Sequence, residues 1–243
     1  MERLQQPDPW RLHRGSQLFR DDKKLAPLQL SHAVTASLHS AIDHLHGVVT
    51  LIFDANSLHT LSSATLTRGA IESAGVAIWL LESDDPKERM VRFLRWNATD
   101  ARDRASALAE VQLDDPGNEA NRSFIREVAE SNGIEPGTAM NPFRSSMALK
   151  AATRYMGDDK PVSAFAMWQV ASGFAHGRRW ALLALAEKEQ FDSARDPGSV
   201  NVRFTMSLER LLWMAWPAWE AITAAIELYE RRGARPIPPS AKR

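Results

Sequence analysis

Two charged residues stand four positions apart in a stretch that is otherwise apolar or small. Arg68 and Glu72 are the fully charged residues of 55–81, ANSLHTLSSATLTRGAIESAGVAIWLL. On a helix this spacing places both side chains on one face, where they can form an ion pair. A helix that is apolar nearly all round is buried, so we expect both charges in the interior, where each needs a partner. The pattern predicts a polar centre shared with another helix.

A serine and a histidine form a second pair. Ser172 and His176 are four positions apart in WQVASGFAHG, and a hydroxyl beside an imidazole could act as a nucleophile with its general base. A hydrolase triad also needs a carboxylate that orients the histidine, and the local sequence supplies none. We therefore expect His176 to lie in the interior near Glu72 or Glu220. Ser172 is expected to hydrogen-bond the backbone.

The candidate residues lie on four predicted helices. A polar centre or ligand site would combine Arg68, Glu72, His44, Ser172, His176 and Glu220. The candidates for catalysis within it are His176, Arg68, Glu72 and Ser172. The sequence leaves open whether this centre binds a ligand or is structural.

Metal and cofactor chemistry has little support in the sequence. His32, His39 and His46 recur every seven residues, a helical rise of about 10.5 Å, which is too far for adjacent ligands of one ion. The absence of cysteine excludes disulfides, thiolate chemistry and Cys-ligated metals. No glycine-rich phosphate loop follows a predicted strand. We predict no metal and no cofactor.

Two further sets of residues each allow two interpretations. Arginines on one predicted helix could contact RNA phosphates, but acidic residues four positions earlier favour a salt-bridged solvated face. These arginines are Arg92, Arg95, Arg102 and Arg104. Three tryptophans of the last helix, Trp213, Trp216 and Trp219, are most simply core residues. They could instead supply the surface of a homodimer, since aromatic residues are enriched at interfaces.

Composition excludes some classes of function. The 243 residues have a formal net charge of zero and a sequence pI near 7.1, which gives no general case for binding nucleic acid or an anionic membrane. The N-terminus has no apolar segment typical of a signal peptide, and the most apolar window contains Arg68 and Glu72. We expect a cytoplasmic protein that does not enter a membrane.

Helical periodicity and helix-capping signals run through most of the chain. Asp85-Pro86 is a strong helix start, and the one weak strand signal covers 199–205. We predict an all-α fold, a bundle of five to seven helices around a central buried helix at 57–82. The predicted divisions are an N-terminal arm at 1–26, a single helical domain at 27–232 and a flexible tail at 233–243.

Three segments resemble an uncharacterised all-helical family of actinobacterial type. They are TLTRGAIESAGVAIWLL, DDPKERMVRFLR and WQVASGFAHG, and Asp43-His44 is similar to a further feature of that pattern. The resemblance spans roughly 40–185. It implies a helical fold and no established activity.

A more distant resemblance is to the HEPN superfamily, in which an Arg-x4–6-His motif cleaves RNA. This sequence departs from the motif, because Arg178 and Arg179 follow His176 and no arginine occupies the seven positions before it. The departure favours a non-enzymatic binding or interaction module, with a second copy as the expected partner and RNA as a less favoured one. The alternative is an RNA-cleaving or RNA-binding protein of a toxin or defence system, which as an enzyme would be a metal-independent ribonuclease.

Overall fold

The part of the chain that the structure describes is mainly helical. The computed structural model describes residues 10–157, 162–191 and 200–234. Its helices are α1 (Gln17–Leu25), α2 (Leu30–Phe53), α3 (Thr60–Leu81), α4 (Pro86–Glu110), α5 (Asn118–Ser131), α6 (Pro136–Ala139), α7 (Ser145–Met156), α8 (Ala164–Ala175), α9 (Arg179–Leu185) and α10 (Leu208–Gly233). Strands β1 (Glu187–Phe191) and β2 (Asn201–Thr205) form an antiparallel pair. The predicted all-α helical bundle is confirmed.

The described residues hold ten helices, more than the five to seven that periodicity predicted. One cause is that the apolar stretch at 162–191 does not form one long helix. α8 ends at Ala175 because Gly177 adopts a left-handed conformation with φ of 59°, which ends a helix. The chain continues through α9 into β1. The weak strand signal at 199–205 corresponds to β2, and α10 begins after this strand, at Leu208.

The predicted N-terminal arm contains a helix that sequence interpretation missed. The Ser16 hydroxyl accepts a hydrogen bond of 3.2 Å from the backbone N–H of Phe19, which caps α1. Leu18 and Leu25 of this helix are fully buried. Residues 1–9 of the arm and 235–243 of the predicted tail lie outside the described ranges.

Packing divides the chain into two compact units. The first comprises 1–36, 79–147 and 226–243, and the second comprises 37–78 and 148–225. The unit boundaries fall inside α2, α3, α7 and α10. The predicted division into arm, domain and tail follows composition along the chain, whereas these units follow contacts between segments distant in sequence.

In the first unit, an arginine near the end of α10 binds the turn that precedes α4. Arg232 donates from Nε to the Leu81 carbonyl at 3.2 Å, and from Nη2 to the Ser83 carbonyl at 3.0 Å and to Asp84 Oδ1 at 2.7 Å. Arg232 is almost completely buried, while Asp84 is exposed. The guanidinium beside Asp84 lowers the pKa of that carboxyl. This arginine therefore supplies hydrogen bonds to carbonyls that end α3.

The start of α4 follows the predicted capping pattern. The Asp85 carboxylate accepts a hydrogen bond of 2.9 Å from the backbone N–H of Lys87, and Pro86 occupies the first helical position. The capping carboxylate and the proline both lie within two residues of the helix start. This boundary could therefore be predicted without knowledge of the tertiary structure.

In the second unit, small residues on α3 allow close packing against its neighbours. Ala70 and Ala74 are fully buried. Gly75 faces α7, because a Cβ at this glycine would lie 3.1 Å from Leu149 Cδ1. α3 occupies most of the predicted central helix at 57–82. Within the described ranges, no helix has the length and apolar composition that crossing a membrane requires.

Candidate functional site

The ion pair on α3 is joined by two residues of α8, and all four belong to the second unit. Arg68 Nη2 lies 2.9 Å from Glu72 Oε2, and Arg68 Nε donates to Ser172 Oγ at 2.9 Å. Trp168 Nε1 donates to Glu72 Oε2 at 3.1 Å. The Arg68 guanidinium also lies 5.5 Å from the centroid of the Trp168 ring, within the range of a cation–π contact. We call these four residues the Arg68 group.

The Arg68 group forms because both helices present residues at a spacing of four. Arg68 and Glu72 share one face of α3, and Trp168 and Ser172 share one face of α8. Facing helices can therefore join the two pairs by two cross-helix hydrogen bonds. The sequence predicted the pair on α3 and included Ser172 in the same centre, and the structure adds Trp168.

The Arg68 group is only partly buried, whereas the sequence predicted that Arg68 and Glu72 lie in the interior. The side chains of Arg68 and Glu72 are 30% and 23% exposed. Water therefore reaches both charges, and the desolvation cost predicted for a fully buried pair does not apply in full. The group is a half-buried ion pair reinforced by neutral donors and acceptors.

Ser172 has no activated hydroxyl. Its Oγ donates to the Trp168 carbonyl at 2.7 Å and accepts from Arg68 Nε. A nucleophilic serine instead donates its proton to a base. The expectation that Ser172 bonds the backbone agrees with this geometry.

His176 lies at the end of α8 and is exposed, so the predicted interior position near Glu72 or Glu220 is wrong. The backbone explains the difference. The N–H of Gly177 bonds the Phe174 carbonyl at 2.9 Å, and the N–H of Arg178 bonds the Gly173 carbonyl at 2.8 Å. This pair of bonds is the Schellman motif, which ends a helix at the residue before the left-handed glycine. His176 is that residue, so the helix ends before its side chain can face the interior.

His44 contacts α3 but belongs to a separate polar cluster. Its Nδ1 donates to the Ser40 carbonyl at 2.6 Å, which fixes the tautomer, and the ring lies against the backbone at Gly69. Ser40 Oγ lies 3.1 Å from Ser73 Oγ. This half-buried cluster positions α2 against α3 through serine, histidine and glycine rather than through the Arg68 charge.

Glu220 lies on α10 and is half-buried in the wall of a cavity of about 280 Å³. Apolar side chains form the rest of the wall: Val162, Leu212, Trp213, Trp216 and Pro217. The structure therefore associates Glu220 with the tryptophans of α10. The predicted six-residue centre is divided into the Arg68 group, the His44 cluster, exposed His176 and this cavity.

The first unit contains a buried ion pair that sequence reasoning missed. Arg89 Nε donates to Asp21 Oδ2 at 2.8 Å, and Arg89 Nη2 lies 2.6 Å from the same oxygen in a charge contact without hydrogen-bond geometry. Burial raises the pKa of Asp21, although the adjacent Arg89 guanidinium acts in the opposite direction. The two residues are 68 positions apart, and no local spacing signals their contact.

Metal ligation has no geometric basis in the part of the chain that the structure describes. No group of three or more histidine, aspartate or glutamate side chains there could hold an ion. The absence of a metal or cofactor in the function of this protein stays a prediction.

Replacing Glu72 by alanine should lower the free energy of unfolding by about 1 kcal/mol, because Arg68 loses its counter-charge but remains accessible to water. Urea denaturation followed by circular dichroism measures this change. Glu88→Ala is the control, since the Glu88 side chain is 45% exposed in its i,i+4 pair with Arg92 and Arg92 keeps Glu82 as a second partner. This change should cost no more than about 0.5 kcal/mol. A loss of about 3 kcal/mol or more for Glu72→Ala would contradict the half-buried description.

Comparisons with protein-family models, with curated proteins and with solved structures find no match for this chain. The resemblances to the actinobacterial-type family and to the HEPN superfamily therefore stay predictions.

Proposed function

We propose that this protein is a non-enzymatic interaction module that forms a homodimer through one surface of α10. We call this surface the aromatic face of α10, formed by Leu208, Leu212, Trp213, Trp216 and Trp219. The observation that carries the proposal is the exposure of its tryptophans: 44% for Trp213, 62% for Trp216 and 57% for Trp219. The simpler expectation that these three residues are core is wrong.

The five side chains form one continuous stripe. At 100° per residue they fall within an arc of about 140° on the helix. Taking about 250 Å² for a tryptophan side chain, the three rings leave roughly 400 Å² of apolar surface exposed, before the two leucines are added. An exposed apolar patch of this size marks an interaction site more often than a single exposed apolar residue does.

Among the described residues, the first unit exposes fewer large apolar side chains than the second unit. The large exposed apolar side chains of the first unit are Val111 and Leu113 among the described residues. In the second unit they include the aromatic face of α10 and also Phe53 and Trp180. This asymmetry supports an interface on the second unit.

A second copy is the partner that fits this surface best. In a twofold dimer the same patch must complement itself, which the five uncharged side chains of this face can do by packing on their symmetry mates. Glu209 and Glu220 fall within the same arc, at the two ends of the face along the helix. Two copies meeting on this face would bury on the order of 1,000 Å² in total, the lower end of specific interfaces. The tryptophan rings would then supply the anchors that dominate binding at protein interfaces.

The geometry of the Arg68 group supports the non-enzymatic part of the proposal. Arg68 and Glu72 neutralise each other, and the Ser172 proton is directed to a backbone carbonyl. His176 stands apart at the end of α8. These contacts are those of a group that joins two helices.

The dimer is tested by sedimentation equilibrium of the full chain. We expect Trp216→Ala to weaken dimerisation at least tenfold. Its unfolding midpoint should equal that of the wild type at concentrations where both proteins are monomeric, because this ring is already exposed in one copy. Phe53→Ala is the control, since Phe53 is 72% exposed in the same unit but lies on α2. A wild-type chain that stays monomeric at about 100 μM, or a Trp216→Ala dimer as tight as the wild type, would overturn the proposal.

RNA cleavage is the second candidate, and one observation favours it. His176, Arg178 and Arg179 are all exposed at the junction of α8 and α9, where a phosphodiester could reach them. Purified protein incubated with total RNA tests it, beside His176→Ala and the control His46→Ala, an exposed histidine of α2. Cleavage lost in the first variant alone would support this candidate. Absent cleavage, or cleavage equal in all three proteins, would rule it out.

A further inference from the structure

The first unit contains a cavity of about 570 Å³ beside the N-terminal segment that precedes α1. Its walls come from residues 10–12, α1, the first turns of α2, and Tyr229 of α10. An adjoining cavity of about 650 Å³ shares Arg11, Leu12 and Phe19 with it. We call the pair the N-terminal cavity. Its volume falls in the range of sites that hold small organic ligands.

The charges that line the N-terminal cavity are mostly positive. The basic side chains among its lining residues are Arg11, His13, Arg14, Lys23 and His32. Among the described residues that line it, Asp22 is the one carboxylate. Both oxygens of Asp22 already accept hydrogen bonds from Ser31, at 3.0 Å from its backbone N–H and at 2.6 Å from its hydroxyl. The local excess of positive charge favours an anion, although the whole chain is formally neutral.

The same cavity presents aromatic rings. Trp10 and Tyr229 pack edge to face with their centroids 5.3 Å apart, and the Tyr229 hydroxyl donates to the Trp10 carbonyl at 2.7 Å. Phe19 lies in both parts of the cavity, and Lys23 Nζ is 5.7 Å from the centroid of its ring. Aromatic rings beside cations are the combination that binds a nucleobase together with its phosphate.

The wall that carries Arg11 is anchored by backbone contacts. The N–H of His13 donates to the Gly233 carbonyl at 3.0 Å, and the N–H of Ser16 donates to the His13 carbonyl at 3.0 Å. Leu12 packs so closely on α10 that a Cβ at Gly233 would lie 2.9 Å from Leu12 Cδ2. A wall held in this way loses little conformational entropy when a ligand binds.

We propose that the N-terminal cavity binds the phosphate and base of a nucleotide, either free or within single-stranded RNA. Arg11 and Lys23 contact the phosphate, and Phe19 stacks on the base. Both sources present the same chemistry, an anionic phosphate next to a flat aromatic ring. This site lies in the first unit and does not depend on dimerisation through α10.

The experiment uses the full chain and two fluorescent probes, mant-labelled ADP and a fluorescein-labelled RNA of eight uridines. Binding is measured by fluorescence anisotropy at 50 and 200 mM salt. We expect the double variant Arg11→Ala/Lys23→Ala to bind at least tenfold more weakly, with a shallower salt dependence. Phe19→Leu, which keeps the apolar volume and removes the stacking ring, should weaken binding at least threefold.

The control is Arg20→Ala/Lys24→Ala, which removes the same amount of charge at two exposed positions of α1 that lie outside the cavity walls. It should bind within twofold of the wild type. Binding of mant-ADP as well as RNA would identify free nucleotides as ligands, and binding of RNA alone would identify single strands. Failure to bind either probe, equal losses in the two double variants, or displacement by inorganic phosphate with no effect of Phe19→Leu would overturn the proposal.

Discussion

Replacing Asp21 by alanine is expected to lower the free energy of unfolding by about 3–5 kcal/mol, because it leaves the Arg89 charge without its counter-ion in the interior. The Arg89 side chain is 1% exposed and that of Asp21 is 3% exposed. Arg89 retains hydrogen bonds from Nη1 to the carbonyls of Ser83 and Asp84. Those carbonyls carry no full charge and cannot replace the carboxylate.

Asp21→Asn should cost less than Asp21→Ala, because the amide oxygen can still accept a hydrogen bond from Arg89. Chemical denaturation at neutral pH measures both variants. Asp103→Ala is the control, since Asp103 forms an exposed pair with Arg102 and should change stability by no more than about 0.5 kcal/mol. A denaturation midpoint of Asp21→Ala close to that of the wild type would contradict the buried ion pair.

Asp21 should also contribute a pH dependence to stability. Burial raises its folded-state pKa above that of the unfolded chain. At a pH between these two pKa values, Asp21 is protonated in the folded chain and ionised in the unfolded chain. The stabilising contribution from this shift is therefore fully present below the unfolded pKa of about 4 and is lost as the pH rises through the raised pKa. Asp21→Asn removes this titration, so its stability profile should be flatter above pH 4.

Replacing Gly69 by alanine is expected to lower the free energy of unfolding by about 2 kcal/mol, although alanine is the better helix former. A Cβ at Gly69 would lie 2.6 Å from His44 Nε2, which is closer than two such atoms can approach. The ring cannot swing away freely, because its Nδ1 is bonded to the Ser40 carbonyl. α2 and α3 would have to separate locally, or His44 would lose this bond.

Gly47→Ala is the matched control, because Gly47 also lies inside a helix but a Cβ there meets Leu66 at an ordinary 3.4 Å. It should be neutral or stabilise by up to about 1 kcal/mol. The double variant Gly69→Ala/His44→Ala should recover most of the loss, since the colliding ring is gone. Equal stability changes for Gly69→Ala and Gly47→Ala, or no recovery in the double variant, would show that the close approach of His44 does not cause the loss of stability.

Features set by neighbouring residues could be predicted from the sequence. Asp85-Pro86 starts α4 because its capping atoms lie within one helical turn. Arg68 and Glu72 pair because a spacing of four places both on one helix face, whereas the contact between Arg68 and Ser172 spans 104 positions and depends on how α8 packs against α3. The end of α8 was missed although its signal, Gly177, is in the sequence, since a glycine inside an apolar helix pattern does not by itself require a left-handed conformation.

By itself, the sequence determined that this chain is helical, where several helices begin, and that Arg68 and Glu72 share one face of α3. The tertiary structure alone decided which side chains are buried. Asp21 and Arg89 become a buried pair although they lie on different helices, and Trp213, Trp216 and Trp219 remain exposed although their composition suits a core. The physical reason is that helix formation and capping depend on atoms a few residues apart. Burial depends on which other segments cover a surface, and no local pattern encodes that.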